Sequence, residues 1–278
     1  MMAAFSDLLA AARKGHYAVG SFNVYNYETI RGVIESGREA GMPVIVAFGA
    51  GYLPNMELEE VAALVKTMAA ASPAPVALHL DHCKSFETIV QAIKAGFSSV
   101  MYDGSALPFE QNLSETTRIV QMAHAAGVGV EAELGALAKG AHSNEEEGSE
   151  IYTSPAEAKR FVIESGVDAL AISIGTVHGM YKGTPRIDVG VLKQIAAVVA
   201  IPLVLHGGSG TPEPVVRECI ANGIAKINVN TEISMHALDR MRAHLNSGKE
   251  THLSQVSRET VGAVKEVVRK YMELFRNV

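Results

Sequence analysis

The chain has 278 residues, 48% of them hydrophobic, and a formal charge of −6 without a basic block. That length fits one large α/β barrel as well as two ordinary domains, while the acidic balance argues against a nucleic-acid partner and offers nothing to a membrane surface. No apolar run approaches the ~20 residues of a membrane span, no charged-then-apolar leader precedes Phe5, and two unpatterned cysteines, Cys83 and Cys219, point to a reducing cytoplasm.

Apolar runs alternate with helical patterns along the chain. A short amphipathic helix is expected over Phe5 to Lys14, with Ser6 as its cap and Gly15 as its stop. Strand candidates follow at Val19–Val24, Val44–Phe48, Val76–Leu80, Ser99–Tyr102, Val128–Leu134, Ala169–Ile174, Leu203–Leu205 and Ala225–Val229. A helical pattern follows each, and Thr231 to Phe275 reads as a helical extension. Gly41, Gly96, Gly127, Gly166 and Gly223 precede strands where a left-handed turn would end a helix. Several strands are continuous apolar runs, as parallel strands covered on both faces should be. Eight such units predict a (β/α)8 TIM barrel over residues 1–278, with no linker, an N-terminal helix and a C-terminal helical extension. A doubly wound sheet is the alternative.

The polar residues collect at one rim. Asp81 and His82 end the third strand, Asp103 the fourth and Glu133 the fifth. The sixth runs into His178 and Gly179, the seventh into His206-Gly207-Gly208-Ser209-Gly210, and the eighth into Asn228-Val229-Asn230-Thr231. Barrel active sites lie at this carboxyl rim. Histidines at three strand ends suit a catalytic zinc with an open coordination position, so His82, His178 and His206 are the expected ligands. Asp103 and Glu133 either orient those ligands or hold a second divalent or a monovalent cation. Asp81 suits proton transfer beside the metal, although a capping role is the structural alternative. His79, inside its strand, and His16, His124, His236, His244 and His252 are read as structural; His142 stays open. Gly179, Gly207, Gly208, Ser209 and the Asn228–Thr231 segment form a candidate phosphate cradle, because glycine turns let backbone N–H groups approach an anion. Lys182 would add charge to the cradle or be simply solvated. The polar segment from Lys139 to Thr153 is either a solvated loop or a lid carrying an acid.

These pieces carry a resemblance. Phe22-Asn23-Val24, Leu80-Asp81-His82, Glu131-Ala132-Glu133-Leu134-Gly135, Val177 to Gly183, His206 to Gly210 and Asn228 to Thr231 run in the order of the class II, zinc-dependent ketose-bisphosphate aldolases, over about residues 17 to 235. The chain resembles the fructose- and tagatose-bisphosphate members. The resemblance implies zinc on His82, His178 and His206, and Asp81 as acid/base at the substrate's C4 hydroxyl. It implies dihydroxyacetone phosphate on Gly179, Lys182, Gly207 to Ser209 and Asn228 to Thr231, with Asn23 joining the site. A sugar phosphate is then the expected partner, and a homodimer or homotetramer the expected assembly.

Three departures matter. The family's loop glycines and acid are replaced by Ala138-Lys139-Gly140-Ala141-His142, which leaves Glu145, Glu146 and Glu147 as candidates for exchanging the C3 proton. Gly49 stands where the family often has a serine, and Ser254 near where it has Asp-Pro-Arg. Both features are associated with a distal phosphate, so recognition of that end is expected to be weak unless Arg258 substitutes. Fructose 1,6-bisphosphate is the default substrate; tagatose 1,6-bisphosphate or a ketose 1-phosphate are the rivals. A non-catalytic sugar-phosphate-binding barrel is a further alternative. A Schiff-base aldolase needs a lysine inside the mouth, and Lys226 is read as opening its strand at the opposite end.

Overall fold

The computed structural model describes residues 1–144, 151–248 and 252–276. Its strands are β1 (Val19–Asn23), β2 (Val44–Gly49), β3 (Val76–Cys83), β4 (Ser99–Tyr102), β5 (Gly129–Leu134), β6 (Ala138–Lys139), β7 (Ala169–Ile172), β8 (Val177–His178), β9 (Leu203–Leu205) and β10 (Ile224–Val229). Eight of them close a parallel barrel in the order β1-β10-β9-β7-β5-β4-β3-β2. Closure rules out the doubly wound sheet. The short β6 and β8 pair with each other, joining the segments that follow β5 and β7.

The helices are α1 (Phe5–Gly15), α2 (Tyr27–Ala40), α3 (Leu58–Ala70), α4 (Phe86–Ala95), α5 (Phe109–Ala125), α6 (Pro155–Ser165), α7 (Val189–Val198), α8 (Glu213–Ala221), α9 (Thr231–Leu245) and α10 (Leu253–Leu274). Local chemistry sets their ends. Asn26 opens α2 with a reciprocal box, its side chain accepting from the Thr29 N–H while the Thr29 hydroxyl accepts from the Asn26 N–H. Ser85 caps α4 by accepting from Thr88 at 3.2 Å, which leaves Asp81 free of any capping duty. The five expected glycine stops all have positive φ, from 64° at Gly41 to 108° at Gly223. The expected cap of α1 is corrected. Ala4 occupies the cap position without a side-chain bond, and His16 takes the left-handed turn at its end. Strand β7 stops at Ile172, two residues earlier than expected, because the Ser173 N–H donates to the Thr153 hydroxyl instead of a neighbouring strand.

Two cores result. Outward-facing strand residues such as Val46, Leu78, Val130 and Ile172 pack under the helices. Inside the barrel, Val19, Ile45, Ala77, Ala169, Ala171, Val204 and Ala225 form a separate dry layer. Helix α1 closes that end with Phe5, Leu8, Leu9 and Ala12. Phe5 stacks flat on the His79 ring, with centroids 5.2 Å apart, and its full burial is worth about 1.5–3 kcal/mol.

Two bulges interrupt the barrel registers. Between β3 and β4 the pairing jumps from Leu80↔Val100 to Cys83↔Tyr102. Between β10 and β9 it jumps from Ile224↔Leu203 to Lys226↔Val204. Each inserts an extra residue, so strict in-out alternation fails there.

Candidate active site

The β3 bulge builds the centre of the site. His82 sits in the left-handed region at φ 46°, a strained conformation for a histidine. It lets Asp81 and His82, adjacent in sequence, line the same cavity. Asp81 is held from both sides: Asn23 Nδ2 donates to Oδ2 at 2.9 Å and Asn228 Nδ2 to Oδ1 at 3.1 Å. Burial alone would raise its pKa, but the charges of His82, Lys226 and His206 outweigh it and hold the group well below the usual carboxylate range. Asp81 is therefore anionic and oriented.

Three imidazoles face one another above it. His82 Nδ1 lies 3.0 Å from Asp103 Oδ2, which leaves Nε2 pointing inward, 2.8 Å from His206 Nδ1. His206 in turn gives Nε2 to Glu131 Oε1 at 2.8 Å. Asp103 is itself fixed by the Ser105 N–H and hydroxyl. His178 stands on β8, outside the barrel proper, paired with β6, and the Gly140 N–H just after β6 donates to its carbonyl at 2.7 Å. Its Nε2 is buried without a hydrogen-bond partner, as is Glu133 Oε2, which lies 3.6 Å from His206 Nδ1.

Ring or carboxylate atoms of His82, His178 and His206 lie within 4.8 Å of one another, and so do those of His82, Asp103 and Glu133. A nitrogen-rich set with one face open fits a divalent metal, and the orphaned His178 nitrogen is what such an ion would satisfy. The charges around His82 favour its protonated form. Burial opposes that charge, but Asp81, Asp103 and Glu133 raise its pKa well above the ordinary value. Burial, with His82 and His206 nearby, pushes His178 well below it. Burial and the Asp103 charge push Glu133 up.

Beneath the histidines lies a second polar layer. The bulge in β10 turns both Ala225 and Lys226 into the barrel, so Lys226 is fully buried. Its ammonium pairs with Glu131 Oε2 at 2.9 Å and donates to Asn228 Oδ1 at 2.7 Å. Lys226 thus lies within the barrel under the site, a correction to its expected place at the far end. Burial would raise the Glu131 carboxyl, yet Lys226 and His206 hold it down to about 2. Unpairing either charge at this depth costs about 3–5 kcal/mol. His79 Nδ1 bonds the Ser99 hydroxyl at 2.8 Å, while burial and the Lys226 charge push its pKa down to about 3, keeping the ring neutral.

The candidate phosphate cradle is assembled in part. Gly179, Gly207, Ser209, Asn228, Asn230 and Thr231 share the cavity with Asn23, Asp81 and the three histidines. Gly179 (φ 106°) and Gly207 (φ 73°) admit no side chain, since a Cβ would come within 2.5 Å of the Ala141 carbonyl and 2.2 Å of the Val177 carbonyl. Helix α9 begins at Thr231, so its positive end adjoins the cavity. Three expected members differ. The Gly208 N–H is already given to the Asn228 carbonyl at 2.9 Å, Val229 is buried in the core, and Lys182 is exposed and outside the cavity lining. Glu145, Glu146 and Glu147 lie outside the described residues.

Other rim residues carried no pattern in the sequence. Ser143 lines the cavity. Tyr52 accepts from Asn144 Nδ2 at 2.9 Å and from Asn230 Nδ2 at 3.0 Å, and Tyr25 also bonds Asn230. Glu131 did carry a signal, because it lies two residues from Glu133 and therefore on the same strand face. A cleft of about 500 Å³ continues from His82 and His178 past Gly49, Tyr52, Leu53, Ser105 and Leu137.

Residues 3–278 match the model of class-II fructose-bisphosphate aldolase. The chain belongs to the class II fructose-bisphosphate aldolase family. It is 37% identical over 264 residues to the uncharacterized protein YdjI of Escherichia coli K12, covering 95% of this chain and 94% of YdjI. The crystal structure of that protein, named the YdjI aldolase, superposes with a TM-score of 0.90 at 36% identity over 100% of this chain and 98% of the other. A Coccidioides immitis protein, provisionally named a fructose-1,6-bisphosphate aldolase, gives 0.89 at 28% identity, over 97% of this chain and 94% of its own. Family membership makes this barrel an aldolase-type lyase acting on sugar phosphates and places its carboxyl rim among typically metal-dependent sites. Both cysteines are free and buried, and no helix among the described residues is long and apolar enough to cross a membrane.

Proposed function

We propose that this aldolase is zinc-dependent and cleaves a ketose phosphate reversibly into dihydroxyacetone phosphate and an aldehyde. The observation that carries the reading is the meeting of His82, His178 and His206 above an anionic Asp81 clamped by two amides. A metal bound there would polarise the substrate's C2 carbonyl and stabilise the enediolate charge that develops as C3–C4 breaks. Asp81 takes the proton of the C4 hydroxyl as the aldehyde leaves. The Gly179 and Gly207 backbone, the Ser209 hydroxyl and the amino end of α9 hold the phosphate of the dihydroxyacetone half. Charge-assisted hydrogen bonds of this kind contribute about 1.5–3 kcal/mol each.

Fructose 1,6-bisphosphate is the family default, but the distal cleft favours a second reading, a ketose 1-phosphate yielding an unphosphorylated aldehyde. Lys84 is the one lysine or arginine among the described residues lining that cleft. A Cβ on Gly49 would meet the Tyr52 ring at 3.1 Å, so a serine there would require the ring to give by a few tenths of an ångström. Ser254 and Arg258 are exposed on α10 and do not line the cleft. Losing an arginine–phosphate fork removes much of the discrimination for that end. The test is kcat/KM for fructose 1,6-bisphosphate, tagatose 1,6-bisphosphate and fructose 1-phosphate, on wild type and Arg258→Ala. Either bisphosphate should be preferred by less than about 10³-fold, some 4 kcal/mol of recognition. A larger preference, erased by Arg258→Ala, would show that α10 supplies the distal cation; no cleavage of any of the three would overturn the aldolase reading of these substrates.

A further inference from the structure

We propose that Lys226 is a positioning residue whose pairing with Glu131, one layer below the site, sets the orientation of the acid/base Asp81. The inference rests on the role given to Asp81 above.

The reasoning starts from an ambiguity in Asn228. An asparagine amide can present either its oxygen or its NH2 to Asp81, and the wrong choice would aim an acceptor at a carboxylate. Lys226 removes the ambiguity. Its ammonium has donors only, so at 2.7 Å it demands the Asn228 oxygen. The Asn228 NH2 must then face Asp81, where it donates at 3.1 Å. Glu131 in turn keeps the ammonium in place, with both oxygens within 3.0 Å of Nζ. The same Glu131 oxygen receives His206 Nε2, which directs His206 Nδ1 toward the metal site. Lys226 thus sets the polarity of the chain that ends on the proton acceptor, while Glu131 sets that of the chain that ends on a candidate metal ligand. The bulge in β10 is what brings this about, since Lys226 and Asn228 must both face inward to meet.

Lys226 touches no reacting atom, and the His206 chain runs through Glu131, which a substitution of the lysine alone retains, so the loss of Lys226 should be felt where Asp81 acts. Cleavage needs Asp81 at the C4 hydroxyl. Exchange of the C3 proton of dihydroxyacetone phosphate with solvent has no C4 hydroxyl to serve. Lys226→Met keeps the length of the side chain and removes the donor. Lys226→Met/Glu131→Gln also removes the charge that the single variant leaves unpaired while keeping an amide oxygen to accept from His206 Nε2, and serves should the single variant fail to fold. With zinc content at the wild-type level, kcat for cleavage should fall about 10- to 100-fold, the scale of a misplaced reacting group. KM and C3 exchange should stay within about twofold of wild type. The Asn228 side-chain amide protons, followed by NMR, should lose the shift that bonding to a carboxylate confers. Parallel loss of cleavage and exchange, an unchanged amide signal, or cleavage within twofold of wild type would each overturn the proposal. The amide signal needs no turnover, so it still decides the matter if wild type proves not to be an aldolase for the substrates tried.

Discussion

Chelation of the metal is expected to abolish cleavage, and added zinc to restore it. Stabilising a developing enediolate takes several kcal/mol, and the described residues lining the inner cavity include no lysine or arginine to supply it. Lys226 is fully buried and spent on Glu131 and Asn228. Loss of the ion should therefore cost at least about 10³-fold in rate, or roughly 4 kcal/mol. One zinc per chain is expected, because the two candidate clusters share His82. Binding should also raise the melting temperature, since the ion prefers the folded ligand set. Metal analysis, thermal unfolding and turnover on the same stripped and reloaded samples check all three. Full turnover in metal-free protein would refute the mechanism.

The second large effect is expected at Asp81. Asp81→Asn should lower kcat for cleavage by about 10²-fold or more, the usual worth of general acid–base catalysis. Zinc content should be unchanged, because the ring nitrogens of His82, His178 and His206 remain. The substitution does two things. It removes the anion that accepts the C4 hydroxyl proton, and it sets an NH2 against one of the two amide donors, Asn23 or Asn228, that now clamp the carboxylate. C3 exchange of dihydroxyacetone phosphate separates these effects from a collapse of the site, since it should continue in the variant. A near-normal cleavage rate in zinc-loaded protein would assign the proton transfer elsewhere.

Much of this arrangement is legible in the sequence for physical reasons. Buried parallel strands must be apolar on both faces, and helices stop where glycine can take positive φ, so the eightfold pattern and its stops are written locally. Crowding of Asp81, His82, Glu133, His206 and Asn228 at one rim follows from the same eightfold pattern, since each stands near the carboxyl end of its strand. What escaped depends on register between strands. No local pattern marks the bulge that puts Asp81 and His82 into one cavity, nor the one that turns Lys226 inward. Occupied donors are equally invisible. Gly208 has the right sequence for an anion loop, but its N–H is taken by a carbonyl from the next strand. His178 is legible from its neighbours in sequence, although it stands on the accessory ladder rather than on a barrel strand.

The floor made by Phe5, Leu9 and the small residues of the inner layer has a consequence for ionic strength. Salt ions reach the charges of this site from the mouth alone, and below Asp81 and Glu131 they meet hydrocarbon. Screening acts through mobile ions, over about 8–10 Å at 0.1–0.15 M salt. The capture of a phosphate at the rim should thus weaken as salt rises, while the charges that govern bond breaking, shielded from beneath, keep their strength: KM would carry the ionic-strength dependence, and kcat would be nearly free of it.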